Sequence, residues 1–386
     1  MPPHQRPDEA AVKSDNNVMA PMTSDYNQLN QSQSTVWRIA QPLFAKAMKD
    51  LLATRTTCAT TDASTRSSVF RVADLGCATG GNSVAPLNFV SRQLLLLLEN
   101  NADEQTCALE VFLGDLPQND WSSVVSTVTP ESITQDHARS AEETYVYMVG
   151  RTFYEACAPP ESLDLSYSLV AVHWMKSYAG DLPSGLYATD SLHVPQPDLL
   201  KAWKDAGAQD FLDFTTARHR ELKVGGRFIG AVACPKKNGH MPWSRVGFLL
   251  YQALASKEEI PKETLGSCVL PCCWRTEADV RAGFLQESGG WELEVCEFNE
   301  TKDPVREQLE RQELTPKEYG RAVIDSFAAV GHQTCVETLS SKSPSSTKVE
   351  QLLQEAYQDC VEQIGADPDK YNLDVSFWYV VAKKTK

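Results

Sequence analysis

A histidine and a tryptophan stand together where a predicted core strand ends. Residues 168–177 read SLVAVHWMKS, and the apolar run from Leu169 to Val172 leads directly into His173 and Trp174. A histidine can act as a base near neutral pH, and a tryptophan indole offers one N–H donor and no acceptor. The pair therefore suits proton transfer or anion binding. A strand-end aromatic residue with one satisfied N–H is also ordinary core packing.

A glycine-rich turn with an acidic residue follows another predicted strand, Val69–Leu75. Residues 73–82 read ADLGCATGGN, and their glycines allow the backbone to approach a ligand closely. The turn matches neither GxGxxG nor a phosphate loop ending in Gly-Lys-Ser/Thr. Asp74, before the first glycine, disfavours a phosphate and suits the ammonium end of S-adenosylmethionine. A tight turn between a strand and a helix, without a ligand, is the alternative.

A second acidic residue, Asp115, follows the predicted strand Leu109–Leu113. An acid at the end of the second strand is where nucleotide-binding sheets hold a ribose diol. Asp115 lies about 40 residues beyond the glycine turn, whereas about 20 is usual. A role as a loop cap therefore stays open.

Composition argues against several classes of protein. The chain has 386 residues and a net charge of −15, so it is a poor candidate for nonspecific binding to nucleic acid or to an anionic membrane. Five consecutive leucines, Leu94–Leu98, fall far short of the ~20 apolar residues of a membrane span. Eleven scattered cysteines without CxxC or zinc spacing predict reduced thiols, a cytoplasmic location and no metal site. The N-terminus lacks the apolar stretch of a signal peptide.

Strands and helices alternate through the first part of the chain. Strands are predicted at Val69–Leu75, Leu109–Leu113, Tyr145–Val149, Leu163–Val172 and Arg227–Ala233, with helices at Val84–Leu98 and Pro197–Leu222. This alternation predicts an α/β fold with a Rossmann-like doubly wound sheet. After Pro235 the pattern is mainly helical, apart from the late strand-like segments Trp291–Phe298 and Val375–Ala382.

These patterns predict a tail, a core and a cap. Residues 1–22 are expected to be a disordered tail. Residues 23–239 are expected to form the Rossmann-like core, completed by 286–299 and 371–386. Residues 240–285 and 300–370 are expected to form a helical cap that closes over an acceptor pocket. Its aromatic residues either line that pocket or pack only inside the cap: Trp243, Phe248, Tyr251, Trp274 and Phe327.

Six motifs in order resemble those of the SABATH methyltransferases, plant-type enzymes that methylate salicylic, benzoic and jasmonic acids and xanthine alkaloids. The motifs are YNQLNQSQ, VADLGCATGGNS, LGDLPQNDW, GRTFY, SYSLVAVHWMKS and AGAQDFLDFTTARHRELKVGGRF. The resemblance implies a class I methyltransferase fold, S-adenosyl-L-methionine as cofactor, a small-molecule acceptor and a homodimer. Asn30 and Thr152 stand where the family has serine, and both keep a hydrogen-bonding side chain.

The resemblance also implies a role for individual residues. Cofactor contacts are expected from Tyr26, Asn30, Asp74, Gly76, Asn82, Asp115, Leu116, Thr152 and Phe153. Acceptor contacts are expected from Tyr26, Gln33, Tyr167, His173 and Trp174. Gln33 and Trp174 would donate hydrogen bonds to an acceptor carboxylate, and no residue would be an essential base.

The expected reaction is methyl transfer to the carboxylate of a small acid, giving a methyl ester. A carboxylate with a pKa near 4 needs no general base at neutral pH. N-methylation of a small amine or N-heterocycle, with His173 as the base, is the alternative. A dinucleotide-dependent oxidoreductase or a non-catalytic nucleotide binder is a more distant alternative, which Asp74 and the missing GxGxxG disfavour.

Overall fold

The computed structural model describes residues 32–57, 69–100, 107–134, 143–183, 186–187, 196–239, 241–285, 289–341 and 345–386. The strands are β1 (Val69–Leu75), β2 (Ala108–Asp115), β3 (Thr144–Gly150), β4 (Leu163–Leu169), β5 (Leu222–Cys234), β6 (Trp291–Thr301) and β7 (Val375–Lys384). The helices are α1 (Ser32–Thr57), α2 (Val84–Asn100), α3 (Trp121–Thr127), α4 (Pro130–Thr134), α5 (Pro197–Glu221), α6 (Pro242–Ala255), α7 (Lys262–Gly266), α8 (Glu277–Phe284), α9 (Pro304–Glu310), α10 (Pro316–Ser340) and α11 (Ser346–Ala366). The tail predicted at residues 1–22 lies outside the described residues.

The strands form one sheet in the order β3-β2-β1-β4-β5-β7-β6. Strands β1 to β5 pair in parallel, and β7 runs antiparallel to both β5 and β6. The predicted Rossmann-like doubly wound sheet is confirmed. The chain moves outward from β1 to β3 and then returns to β4, so the strand order reverses between β1 and β4. Ligands bind at such a switch point, beyond the carboxyl ends of the strands.

Apolar layers cover both faces of the sheet. Alternate residues of β1 face opposite ways: Val72 packs in the cluster with Phe44 of α1, and Ala73 packs in the cluster with Phe214 of α5. Successive residues of β4 and of the second half of β5 are buried, as expected for strands that are covered on both faces. The central strands are therefore held rigidly, and their carboxyl ends present loops from a fixed frame.

A third apolar cluster joins helices that follow β5. It includes Leu249 of α6, Phe327 of α10 and Leu353 of α11. Helix α10 begins with Pro316 after a capping box in which Thr315 and Glu318 bond each other's backbone N–H groups. The assignment of residues 240–285 and 300–370 to a separate cap remains a proposal. No helix within the described ranges is long and apolar enough to cross a membrane.

The strand leading to His173 is shorter than predicted. We expected Leu163–Val172, but β4 ends at Leu169 because Val170 adopts a positive φ of 73°. A β-branched residue rarely enters this left-handed region, so the chain is strained where it turns away from the sheet. Pro42 lies inside α1, which continues past it to Thr57.

Candidate active site

The glycine turn lies at the carboxyl end of β1, in the switch-point crevice. Gly76 has a φ of +87°, and a Cβ there would lie 2.2 Å from the Cβ of Ala171. Its N–H donates to the carbonyl oxygen of Gly114 over 2.7 Å. Both the conformation and the close approach require glycine. The loop after β4 therefore packs directly against the turn after β1.

Asp74 is buried at the end of β1, with 5% of its surface exposed. Burial raises the pKa of its carboxyl to about 7, and the neighbouring hydroxyls of Ser83 and Tyr167 oppose this shift. Both hydroxyls are buried beside the Asp74 carboxyl, and neither has another hydrogen-bond partner among the described residues. Buried polar groups are rarely left unpaired, so these groups fit a further polar ligand such as an ammonium.

Asp115 holds the glycine turn from the adjacent strand. Its carboxylate accepts from the backbone N–H of Ala78 over 2.8 Å and from that of Leu116 over 2.8 Å. Asn119 donates to the carbonyl oxygen of Ala78 over 2.7 Å, which fixes Ala78 at a φ of 48°. Asp115 is thus a loop cap. A carboxylate offers about four acceptor positions, so the predicted contact with a ribose diol is compatible with this role.

A buried ion pair fixes the loop after β3. Arg218 and Glu221 are fully buried, and Arg218 Nε lies 2.7 Å from Glu221 Oε2. Arg218 Nη1 donates to the carbonyl oxygen of Phe153 over 2.6 Å, and Glu221 accepts from the backbone N–H of Ala158 over 3.1 Å. Phe153, which follows Thr152 in the chain, is held against the turn at Gly76. Both predicted cofactor contacts on this loop are therefore positioned from α5.

The rings of His173 and Trp174 lie 4.6 Å apart at an interplanar angle of 40°. Burial, together with the charge of Arg275, lowers the pKa of His173 to about 3. The buried Nδ1 of His173 has no hydrogen-bond partner in the described part of the chain. The Tyr154 hydroxyl donates to the carbonyl oxygen of Trp174. His173 is therefore neutral and weakly basic.

An aromatic row continues from His173 towards the late helices. The ring of His173 lies 6.4 Å from Trp274, which lies 5.4 Å from Tyr187. Phe327 lies 6.3 Å from both Tyr187 and Trp243. We call these five residues the aromatic row. It connects the end of β4 with α6 and α10.

Several predicted site residues remain without a tested role. Tyr26 and Asn30 lie outside the described residues, and Gln33 lies in the first turn of α1 with a side chain that is not described. Asn82 lies in the turn before α2. Tyr167 is 1% exposed and packs edge-on against Phe44, with ring centroids 5.3 Å apart. Their contacts with cofactor or acceptor stay predictions.

Sequence reasoning missed two supporting residues. Tyr154 lies in the motif GRTFY but was assigned no role of its own, although the hydroxyl of a buried tyrosine needs a partner. Arg275 follows the apolar run at Cys272 and is only 1% exposed; an arginine in such a run is the signal that was available.

Within the described ranges, no group of three or more His, Cys, Asp or Glu residues is arranged to hold a metal ion.

Comparison with known proteins places the chain in a family. The family model described as "SAM dependent carboxyl methyltransferase" matches residues 22–383. Anthranilate O-methyltransferase 3 of Zea mays is 29% identical over 171 residues, which cover 41% of this chain and 44% of that enzyme. A probable caffeine synthase of Coffea canephora is 25% identical over 239 residues, covering 58% of this chain and 60% of that protein. The chain thus spans less than two thirds of the length of these relatives.

A solved structure described as loganic acid methyltransferase with SAH has the same fold. It covers 95% of this chain and 99% of its own, with a TM-score of 0.70 and 18% identity. At this identity the likeness concerns the fold alone. Because the family model extends over nearly the whole sequence, the chain belongs to the SAM-dependent carboxyl methyltransferases.

Proposed function

We propose that the protein transfers a methyl group from S-adenosyl-L-methionine to the carboxylate of a small-molecule acid, giving a methyl ester. The cofactor follows from the family. One observation favours a carboxylate over a nitrogen acceptor, namely the pKa of about 3 at His173. So weak a base removes protons poorly at neutral pH, whereas a carboxylate is already ionised there.

The residues at the switch point fit the cofactor. When bound, S-adenosyl-L-methionine supplies an electrophilic methyl group on a sulfonium, whose departing sulfur needs no proton. Asp74 would hold the ammonium end beside the buried hydroxyls of Ser83 and Tyr167. Asp115 would accept from the ribose hydroxyls. These residues bind and orient, and orientation of this kind contributes up to roughly 7–11 kcal/mol to a rate.

The acceptor would lie against the end of β4. No described residue accepts a hydrogen bond from the Trp174 indole N–H, and the predicted second donor, Gln33, lies on α1. A carboxylate in a mostly apolar pocket must be hydrogen-bonded, because its burial is otherwise costly. The half-buried rings of Trp174, Trp243 and Trp274 support an apolar lining beneath a cap made of residues 240–285 and 300–370.

Two further properties are part of the proposal. The scattered cysteines favour a cytoplasmic location, since reduced thiols are typical there. The family resemblance implies a homodimer. Cell fractionation with an antibody to the protein tests the location, and light scattering at several concentrations tests the oligomeric state.

A screen with methyl-labelled cofactor tests the proposed reaction. Benzoate, salicylate and anthranilate represent carboxylates, and 7-methylxanthine represents nitrogen acceptors. We expect label in a methyl ester, which mild alkali hydrolyses to release labelled methanol. Label that appears only in alkali-stable N-methyl products would overturn the carboxylate proposal in favour of N-methylation. Reactions without an acceptor measure the background.

A further inference from the structure

Arg275 is a buried cation beside the loop after β4 that carries His173 and Trp174. Its side chain is 1% exposed. Nη1 donates to the carbonyl oxygen of Val172 over 2.7 Å and to that of Cys273 over 3.2 Å. Nη2 donates to the carbonyl oxygen of Gly207 over 3.2 Å, while the buried Nε has no partner among the described residues. A guanidinium carries a positive charge in proteins.

Arg275 lacks the carboxylate partner that the other buried arginines have. Arg218 is paired with Glu221 over 2.7 Å, and Arg227 is paired with Glu294 over 2.9 Å. Arg275 forms no ion pair with any described carboxylate and instead lies over the ring of Phe211, 4.7 Å from its centroid. Carbonyl dipoles and an aromatic face stabilise the cation without cancelling its charge, so its field persists in the surroundings.

The segment that carries Arg275 is paired with the loop after β4. Trp174 and Cys272 form an antiparallel bridge, and the N–H of Cys273 donates to the carbonyl oxygen of His173 over 2.8 Å. The N–H of Arg275 donates to the carbonyl oxygen of Ala233, at the end of β5, over 3.0 Å. The backbone around Arg275 is thus held by the loop after β4 on one side and by β5 on the other, and this fixes the position of the guanidinium.

We infer that Arg275 is a positioning residue whose charge, which lacks an ion-pair partner among the described residues, makes the acceptor pocket selective for an anion. The inference rests on the proposed function, since it explains how a carboxylate is preferred over a neutral acceptor. Arg275 holds the peptide that precedes His173 and thereby orients the His173–Trp174 pair. Its field lowers the cost of burying a negative charge beside that pair.

Asp210 opposes the field of Arg275 without forming an ion pair with it. The groups that act on His173 are Arg275 and the backbone at Val170, together with the uncharged rings of Trp174 and Trp274. Asp210 is a carboxyl whose pKa is affected by the charge of Arg275. Burial raises its pKa to about 6, while the N–H of Lys176 and the charge of Arg275 favour its ionised form. Its carboxylate accepts from the N–H of Lys176 over 2.8 Å and is not within ion-pair distance of Arg275.

Binding of benzoate and of its neutral isostere benzamide tests the inference. Affinities are measured by calorimetry on the full chain saturated with S-adenosylhomocysteine, for the wild type, Arg275→Gln and Arg275→Lys. Glutamine keeps a donor for the Val172 carbonyl but removes the charge, whereas lysine keeps the charge. We expect the wild type to prefer benzoate, Arg275→Gln to lose this preference by about tenfold or more, and Arg275→Lys to retain most of it. Affinity for S-adenosylhomocysteine should stay within about twofold.

Arg227→Gln is the matched control. It also removes a buried guanidinium, but one that is paired with Glu294 and does not contact the loop after β4. It should lower stability and leave the preference for benzoate intact. A wild type without preference for benzoate overturns the inference, and so does a preference that survives in folded Arg275→Gln. The acceptor screen separates this failure from that of the proposed function. Methylation of acids with an unchanged preference in Arg275→Gln refutes the role of Arg275 alone, whereas methylation of nitrogen alone refutes the proposed function.

Discussion

The Tyr154 hydroxyl donates a hydrogen bond to the backbone carbonyl of Trp174. This bond joins the loop after β3, which carries Thr152 and Phe153, to the loop after β4, which carries the proposed acceptor residues. Tyr154 is buried, and burial raises the pKa of its hydroxyl, so the group stays a donor. The bond therefore couples the geometry of the proposed cofactor side to that of the acceptor side.

Tyr154→Phe removes this bond and retains the ring. A hydrogen bond contributes about 0.5–1.5 kcal/mol, and the carbonyl of Trp174 would lose its donor. We expect a free energy of unfolding lower by about 1 kcal/mol and a several-fold loss in kcat/KM for the acceptor, with little change in affinity for S-adenosylhomocysteine. Tyr147→Phe, at a side chain that is 42% exposed on β3, is the control. Unaltered acceptor kinetics in folded Tyr154→Phe would argue against the coupling.

Trp174→Phe tests the proposed clamp, because it removes the indole N–H and keeps a six-membered aromatic ring. Loss of one donor to a charged group costs about 1.5–3 kcal/mol, which corresponds to about tenfold to a hundredfold in kcat/KM for an acid. Stability should change little, because most of the ring area remains. Steady-state kinetics with the acid identified by the screen measures the effect. Kinetics equal to the wild type would show that the indole does not hold the carboxylate.

His173→Gln should retain substantial turnover with an acid, and the wild-type rate at saturating S-adenosyl-L-methionine should stay flat between about pH 6 and 9. The pKa of His173 in the folded protein is about 3, below its usual value of about 6.5. The unfolded chain therefore binds more protons between these values, and stability from this group is lost as pH falls below about 6.5. Loss of turnover in His173→Gln, with a wild-type inflection near pH 6.5, would instead identify His173 as a base.

The sequence predicted the frame of the site better than its supports. Glycines and acids at strand ends located the turn at Gly76 and both carboxyls, because alternation fixes which ends of parallel strands meet. The early end of β4 was missed because apolar residues continue through Val172, and only the contact between Ala171 and Gly76 requires the turn at Val170. Such contacts join residues about 95 positions apart, and local patterns do not report them.

Long-range supports were also hidden by ordinary roles of their residue types. Arg218 and Glu221 lie on one helix at i and i+3, a spacing typical of a solvent-exposed pair. In the structure both are fully buried, and their remaining groups bond the backbone of residues 153–158. A charged pair on α5 is therefore part of the site's scaffold, which tertiary packing alone decides.

Arg218→Lys tests this scaffold. A lysine keeps the charge but cannot bond Glu221, the Phe153 carbonyl and the Glu155 carbonyl together. Breaking a buried pair typically costs about 3–5 kcal/mol when one partner is removed, so this milder change should lower stability by less. We expect weaker binding of S-adenosylhomocysteine in calorimetry. Arg71→Lys is the control, because Arg71 forms a partly buried ion pair with Glu110 between β1 and β2. If both variants bind S-adenosylhomocysteine equally well, Arg218 contributes to stability and not to the cofactor site.

Asp74 should link cofactor binding to proton release. Its pKa is raised from 3.8 to about 7, chiefly by burial, so the folded apo protein binds more protons than the unfolded chain between these values. The stability from this group is present below about pH 4 and lost as pH rises through 7. An ammonium beside the carboxyl favours its ionised form. Binding of S-adenosylhomocysteine near pH 6 should therefore release up to about one proton, measured by calorimetry in buffers of different ionisation enthalpy.

Asp74→Asn should separate the two consequences of that buried carboxyl. At pH 8 the ionised Asp74 is unfavourable in the apo protein, so the asparagine variant should have a higher Tm without ligand. It should also bind S-adenosylhomocysteine at least about tenfold more weakly, because a neutral amide replaces the charged partner of the ammonium. Asp115→Asn is the comparison, since it removes the carboxylate proposed to hold the ribose: it should also weaken binding but keep the proton release near pH 6. If Asp74→Asn keeps full affinity and wild-type binding releases no proton near pH 6, the ammonium is held elsewhere.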